Sequence, residues 1–117
     1  MAAKSVEIEA AVYAASKAAL LALSRSFAYA LAPRSIRVNA VCPGIIDTPM
    51  QGAFVPRLAE WRGMTVEEFQ GARLKAVPLQ RMGTADEVAA LICFLLSDAA
   101  SYMTAQSINV TGGLIHW

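Results

Sequence analysis

The chain has 117 residues, 56% hydrophobic and 16% charged, with ten Lys and Arg against nine Asp and Glu for a formal net charge of +1. This length fits one domain with a core, and the scattered arginines do not form the basic stripe that nucleic-acid binding requires. No apolar run is long enough to span a bilayer, and Glu7 and Glu9 interrupt the N-terminus where a signal peptide would carry its apolar core.

Residues 10–32, rich in alanine and leucine, predict a first helix that is apolar nearly all round and is stopped by Pro33. Residues 36–42 predict a β-branched strand ended by Pro43-Gly44. Residues 45–82 read as loop, with Pro49, Pro56 and Pro78 as breakers. Inside them the capping box Thr65-Val66-Glu67-Glu68 predicts a short helix reaching about Lys75. A second capping box, Thr84-Ala85-Asp86-Glu87, opens a helix over 85–96. Residues 107–110 predict a second strand, closed by Thr111-Gly112-Gly113.

Cys42 and Cys93 stand isolated among hydrophobes, which predicts buried, reduced thiols and a cytoplasmic setting. His116 has no Cys, His or acidic companions that would make a metal site. The element order is the back end of a parallel α/β arrangement. Two strands are too few for a parallel sheet covered on both faces. The sequence is therefore expected to be part of a larger fold, and the apolar excess points to faces meant to be covered.

The chemistry-bearing pair is Tyr13 and Lys17. Four residues apart on a helix, a phenol and an ammonium are neighbours on one face. A phenol titrates near pH 10 in water, and a fixed positive charge beside it favours the phenolate, which suits it to acid/base work. Tyr-x-x-x-Lys alone is a weak signal, but three further segments follow it in order. They are Pro43-Gly44-Ile45-Ile46-Asp47-Thr48-Pro49-Met50, Arg81-Met82-Gly83-Thr84-Ala85-Asp86-Glu87-Val88, and Ile108-Asn109-Val110-Thr111-Gly112-Gly113.

Together these motifs resemble the C-terminal half of a classical short-chain dehydrogenase/reductase over nearly the whole chain. The resemblance implies a Rossmann-like, doubly wound α/β fold and an NAD(P)-dependent oxidoreductase acting on a carbonyl or alcohol, with NAD versus NADP left open. It implies that Tyr13 is the proton donor/acceptor and that Lys17 assists it and binds the nicotinamide ribose. Pro43, Gly44 and the Ile46 backbone would face the carboxamide, with the Thr48 hydroxyl nearby. A turn at the C-terminal end of a parallel strand is where open α/β sheets place ligands.

Residues 45–82 would form the substrate lid, with Met50, Phe54, Val55, Leu58, Trp61, Met64 and Phe69 serving either as an apolar wall or as core. The Gly-rich nucleotide-binding segment of the family is absent, and its catalytic serine would fall before Met1; Ser5 is too close to Tyr13 to match. Residues 1–117 are thus expected to be the catalytic and substrate-binding half, inactive alone. The resemblance further implies homo-oligomers formed through residues 10–32 and 85–110. The competing expectation is a non-catalytic relative acting as an oligomerisation module.

Overall fold

In the computed structural model, residues 11–115 are described. Helix α1, Ala11–Leu31, holds the alanine-rich segment and gives way to a single tight turn, Ala32–Arg34, containing Pro33. Ser35 then takes φ +58° and donates its N–H to the Ala32 carbonyl at 2.9 Å, which redirects the chain. Of the helix only Leu21 and Ala28 are buried, and its principal packing partner is the turn that follows it. The fold is elongated, 52 × 27 × 24 Å.

Strands β1, Ala40–Pro43, and β2, Ser107–Val110, pair in parallel, with Val41 opposite Ile108 and Cys42 opposite Asn109. Strand β1 begins four residues later than the β-branched run from Ile36 suggests. Side chains bond the chain ahead of it instead. The Val38 N–H donates to Thr104 Oγ1 at 3.1 Å, Asn39 Nδ2 to the Met103 carbonyl at 2.8 Å, and the Gln106 N–H to Asn39 Oδ1 at 3.1 Å. The Val38 carbonyl still accepts the Ala105 N–H at 2.8 Å, but the Thr104 and Asn39 side chains take the neighbouring bonds, so the regular ladder starts only at Ala40.

The segment read as loop contains a further helix, α2, Pro49–Trp61. Proline is tolerated in the first turn, where its missing N–H has no intrahelical partner. Pro56 lies inside the helix, where it removes a donor. Burial offsets that cost: Val55 and Ala59, on either side of it, are each 1% exposed and pack on Phe69 of α3, Val66–Lys75. Leu58, Met64 and Val66 complete this small core. Fully burying a valine or phenylalanine side chain stabilises by about 1.5–3 kcal/mol.

Helices α3 and α4, Ala85–Leu96, both start with complete capping boxes, as their sequences predict. In α4 the Glu87 N–H donates to Thr84 Oγ1 at 3.2 Å and the Thr84 N–H to Glu87 Oε2 at 2.8 Å. Helix α4 packs across β1 and ends in the short turn Asp98–Ala100. Cys42 is buried and free, as expected. Cys93 is free but exposed, contrary to the expectation of burial, because its face of α4 has no described element over it.

Candidate functional site

Tyr13 sits in the first turn of α1 and is 57% exposed. Lys17 lies one turn on, with its ammonium 5.2 Å from the centre of the Tyr13 ring. The helix thus delivers the i, i+4 adjacency that the sequence demands. At about 100° per residue, Leu20, Ser24 and Phe27 fall within about 40° of Tyr13 around the helix. Leu20 and Phe27 are about half exposed. The phenol and ammonium therefore head an uncovered, mainly apolar stripe. Ser16 contributes its hydroxyl to the Tyr13 carbonyl at 2.7 Å and so is spent within the helix.

The second cluster lies where β1 ends. The Gly44 N–H donates to the Val110 carbonyl at 2.8 Å, extending the parallel pairing by one step. A Cβ on Gly44 would lie 2.8 Å from Thr111 Cα, so the two backbones meet too closely for any side chain. Ile46 then bridges Gly83 in parallel. Gly83 donates to the Ile45 carbonyl and accepts from the Asp47 N–H, each at 2.9 Å. In such a bridge the flanking residues make the bonds, and the N–H and C=O of Ile46 itself turn away from Gly83. Thr48 is half-buried and extended, at φ −150°, and its hydroxyl does not cap α2.

Pro43, Gly44, Ile46 and Thr48 thus form one continuous strand-end turn. Tyr13 and Lys17 belong to a different element, helix α1, whose principal packing partner is the turn Ala32–Arg34 that follows it. His116 and Ser5 lie outside the described residues.

A clamp that sequence reading missed fixes the base of this turn. Arg81 grips Glu87 with two bonds, Nη1 to Oε2 at 2.9 Å and Nη2 to Oε1 at 2.6 Å, and also donates to the Met82 carbonyl at 3.0 Å. The Arg81 guanidinium, followed by the Thr84 N–H, holds the Glu87 carboxyl well down, to about 2, and Glu87 in turn raises Arg81. The signal was present: an arginine three residues before an N-cap threonine can reach back to the N3 glutamate of the capping box. Beside the clamp a cavity of about 120 Å³ opens between Ile45, Ile46, Val77, Leu79 and Thr111.

The apolar residues of 45–82 divide into two sets. Val55, Leu58, Met64 and Phe69 form the core between α2 and α3. Met50, Phe54 and Trp61 are 50–76% exposed on the other side of α2. Among the described residues no three His, Cys, Asp or Glu side chains converge on a metal site, and no helix is long and apolar enough to cross a membrane.

A family profile described as enoyl-(acyl carrier protein) reductase matches residues 1–115. The chain is 43% identical over 103 residues to a 3-oxoacyl-[acyl-carrier-protein] reductase, FabG, of Thermotoga maritima, covering 88% of this chain and 37% of the relative. A short chain dehydrogenase family protein from Francisella tularensis superimposes with a TM-score of 0.87 at 34% identity, covering 97% of this chain and 47% of that one. A variant of actinorhodin polyketide ketoreductase solved with NADPH superimposes with a TM-score of 0.91 at 33% identity, over 97% of this chain and 44% of that one. The chain belongs to the short-chain dehydrogenase/reductase family, and its α/β fold corresponds to part of the Rossmann-type domain of these relatives. It spans less than half the length of the relatives it matches.

Proposed function

We propose that this chain carries the proton-transfer and substrate-binding part of an NAD(P)-dependent oxidoreductase that interconverts a carbonyl and an alcohol. The observation that carries the reading is the Tyr13–Lys17 pair, stacked on one face of α1 at the head of an uncovered stripe. The strand-end turn supports it. Ile46 turns its own backbone N–H and C=O away from Gly83, which suits the amide-to-amide pairing a nicotinamide carboxamide needs. The bound nicotinamide supplies or accepts the hydride.

In this reading Tyr13 Oη gives its proton to the carbonyl oxygen, or takes one from the alcohol. Lys17 stabilises the phenolate left behind and binds the ribose. Pro43, Gly44 and Ile46 hold the carboxamide, and the Thr48 hydroxyl binds beside it. Residues 1–117 are the catalytic half of a longer Rossmann-type unit, with residues 45–82 as its lid. The protein works in the cytoplasm, where free thiols such as Cys42 and Cys93 persist.

The test is made on the intact protein. NADH or NADPH fluorescence should respond on titration, and Tyr13→Phe should lower kcat by about 10²–10⁴ while leaving cofactor binding in place. A variant with full kcat would remove Tyr13 from the proton-transfer role.

A second reading rests on exposed apolar side chains. Leu20, Leu23 and Phe27 on α1, and Ile92, Phe94 and Leu96 on α4, stand 42–78% exposed. Such faces suit pairing between copies of this chain. Light scattering on the intact protein checks it: a dimer or tetramer supports association, and a stable monomer sinks it.

A further inference from the structure

Gly83 is the residue that bridges Ile46, and the Arg81–Glu87 pair holds Gly83 from behind. Two peptide groups flank Gly83, and each is trans, so its C=O and N–H point opposite ways. In the first, the Met82 carbonyl accepts from Arg81 Nη1 at 3.0 Å while the Gly83 N–H donates to the Ile45 carbonyl at 2.9 Å. In the second, the Thr84 N–H donates to Glu87 Oε2 at 2.8 Å while the Gly83 carbonyl accepts from the Asp47 N–H at 2.9 Å. One end of each peptide is thus fixed to the clamp, and the other to the chain on either side of Ile46.

The side chains close the same contact. A Cβ at Gly83 would lie 2.9 Å from Ile46 Cδ1 and 3.6 Å from Glu87 Oε2, so Ile46 packs directly on the Gly83 backbone. The two bonds from the Arg81 fork to one carboxylate, at 2.9 and 2.6 Å, fix direction as well as distance. Both partners are about half exposed, where an ion pair adds little to stability. A capping box opens α3 as well, but there the arginine three residues before the threonine, Arg62, sits over the Phe69 ring. At α4 the arginine is turned onto the peptides of Gly83.

We infer that Arg81 and Glu87 are positioning residues for the nicotinamide: through Gly83 they fix the direction of the Ile46 N–H and C=O that receive the carboxamide. This role rests on the proposed contact between Ile46 and the carboxamide. With the clamp removed, both peptides of Gly83 are free to tilt, and the Ile46 backbone tilts with them. One of its two bonds to the carboxamide is then lost, whereas a ligand without the nicotinamide loses nothing.

The test compares binding of a dinucleotide and of its nicotinamide-free fragment to the intact protein: NADH with ADP-ribose, and NADPH with 2′-phospho-ADP-ribose. The parent should prefer one dinucleotide over its fragment at least about tenfold. Arg81→Ala should reduce that preference about five- to tenfold, the size of one lost hydrogen bond, and leave the Kd of the fragment within about twofold. Arg81→Lys keeps the charge without the fork and should fall between. In the ligand-free protein, exchange of the Gly83 and Asp47 amides should quicken at least about tenfold in Arg81→Ala, with Gly44 unchanged. If that variant does not fold, Glu87→Gln, which keeps the capping box through its amide oxygen, should show the same changes at smaller size. Equal losses for dinucleotide and fragment would make the clamp a general stabiliser and overturn the positioning role, as would an unchanged preference. A parent that binds neither dinucleotide better than its fragment would remove the carboxamide contact itself, and with it the cofactor-facing reading of this turn.

Discussion

Helix α1 and the α2–α3 hairpin are opposite solutions to the same composition. Both are rich in large apolar side chains. The hairpin turns Val55, Ala59 and Phe69 inward to within 3% of full burial and needs little from the remainder of the described chain. Helix α1 buries only Leu21 and Ala28 in 21 residues and leaves Val12, Leu20, Leu23, Phe27 and Tyr29 at least half exposed. The Tyr13–Lys17 pair sits on the element that has least support of its own. Helix α1 therefore leaves its apolar stripe to be covered by other surfaces, whereas the hairpin brings its own.

The sharpest way to break that contrast is to place the same carboxylate on each element. Val55→Asp puts a carboxylate at a position 1% exposed, in the apolar core of Val55, Ala59 and Phe69. It should cost at least about 4 kcal/mol and abolish cooperative melting of the hairpin. Leu23→Asp, on the uncovered side of α1, should shift the stability of an unassociated chain by no more than about 0.5 kcal/mol. Denaturant melts of both variants compare them. A large cost for Leu23→Asp, together with a change in oligomeric state, would show that α1 is covered by another copy.

Gly44→Ala tests the junction that connects the two regions through β1. Its added methyl would meet the Thr111 backbone at 2.8 Å, and backbone cannot rotate away. A loss of about 1–3 kcal/mol is expected, read from urea unfolding. No loss would mean that β1 and the Thr111 turn can separate freely.

The smallest effect concerns the clamp, and it is one of pH. The folded Glu87 carboxyl is lowered from 4.5 to about 2 by Arg81 and Thr84, so the folded state holds this group ionised where the unfolded chain would protonate it. The stabilisation is fully present above about pH 4.5 and is lost as pH falls from there toward 2. Both side chains are about half exposed, so salt should weaken the effect. The Tm difference between the parent and Glu87→Gln should shrink across that window and be flat above it. A difference constant from pH 7 to pH 2 would show that the clamp carries no folded-state ionic bond.

The elements legible in sequence are those specified by close neighbours. The starts of α3 and α4 each rest on a threonine and a glutamate three residues apart, and both boxes form as written. Strand β2 occupies residues 107–110 as predicted. The Tyr13–Lys17 contact follows from helical pitch alone, so it too could be read directly. Helix α2 could not. Pro49 and Pro56 are local signals against a helix, and the opposing term is the burial of Val55 and Ala59 on Phe69, ten or more residues away. The late start of β1 has the same origin, since Asn39 is occupied by Met103 and Gln106 from beyond α4.

The sequence by itself determined the pairing of a phenol with an ammonium through helical spacing, the parallel α/β arrangement through the order of its elements, and the family through four motifs that resemble it in the same order along the chain. Only the tertiary structure decided which apolar residues of 45–82 are core and which are outward wall. It also decided that Cys93 is exposed and that the backbone of Ile46 faces away from Gly83. Those outcomes depend on which distant segment arrives to cover a given face, and no short-range pattern carries that information.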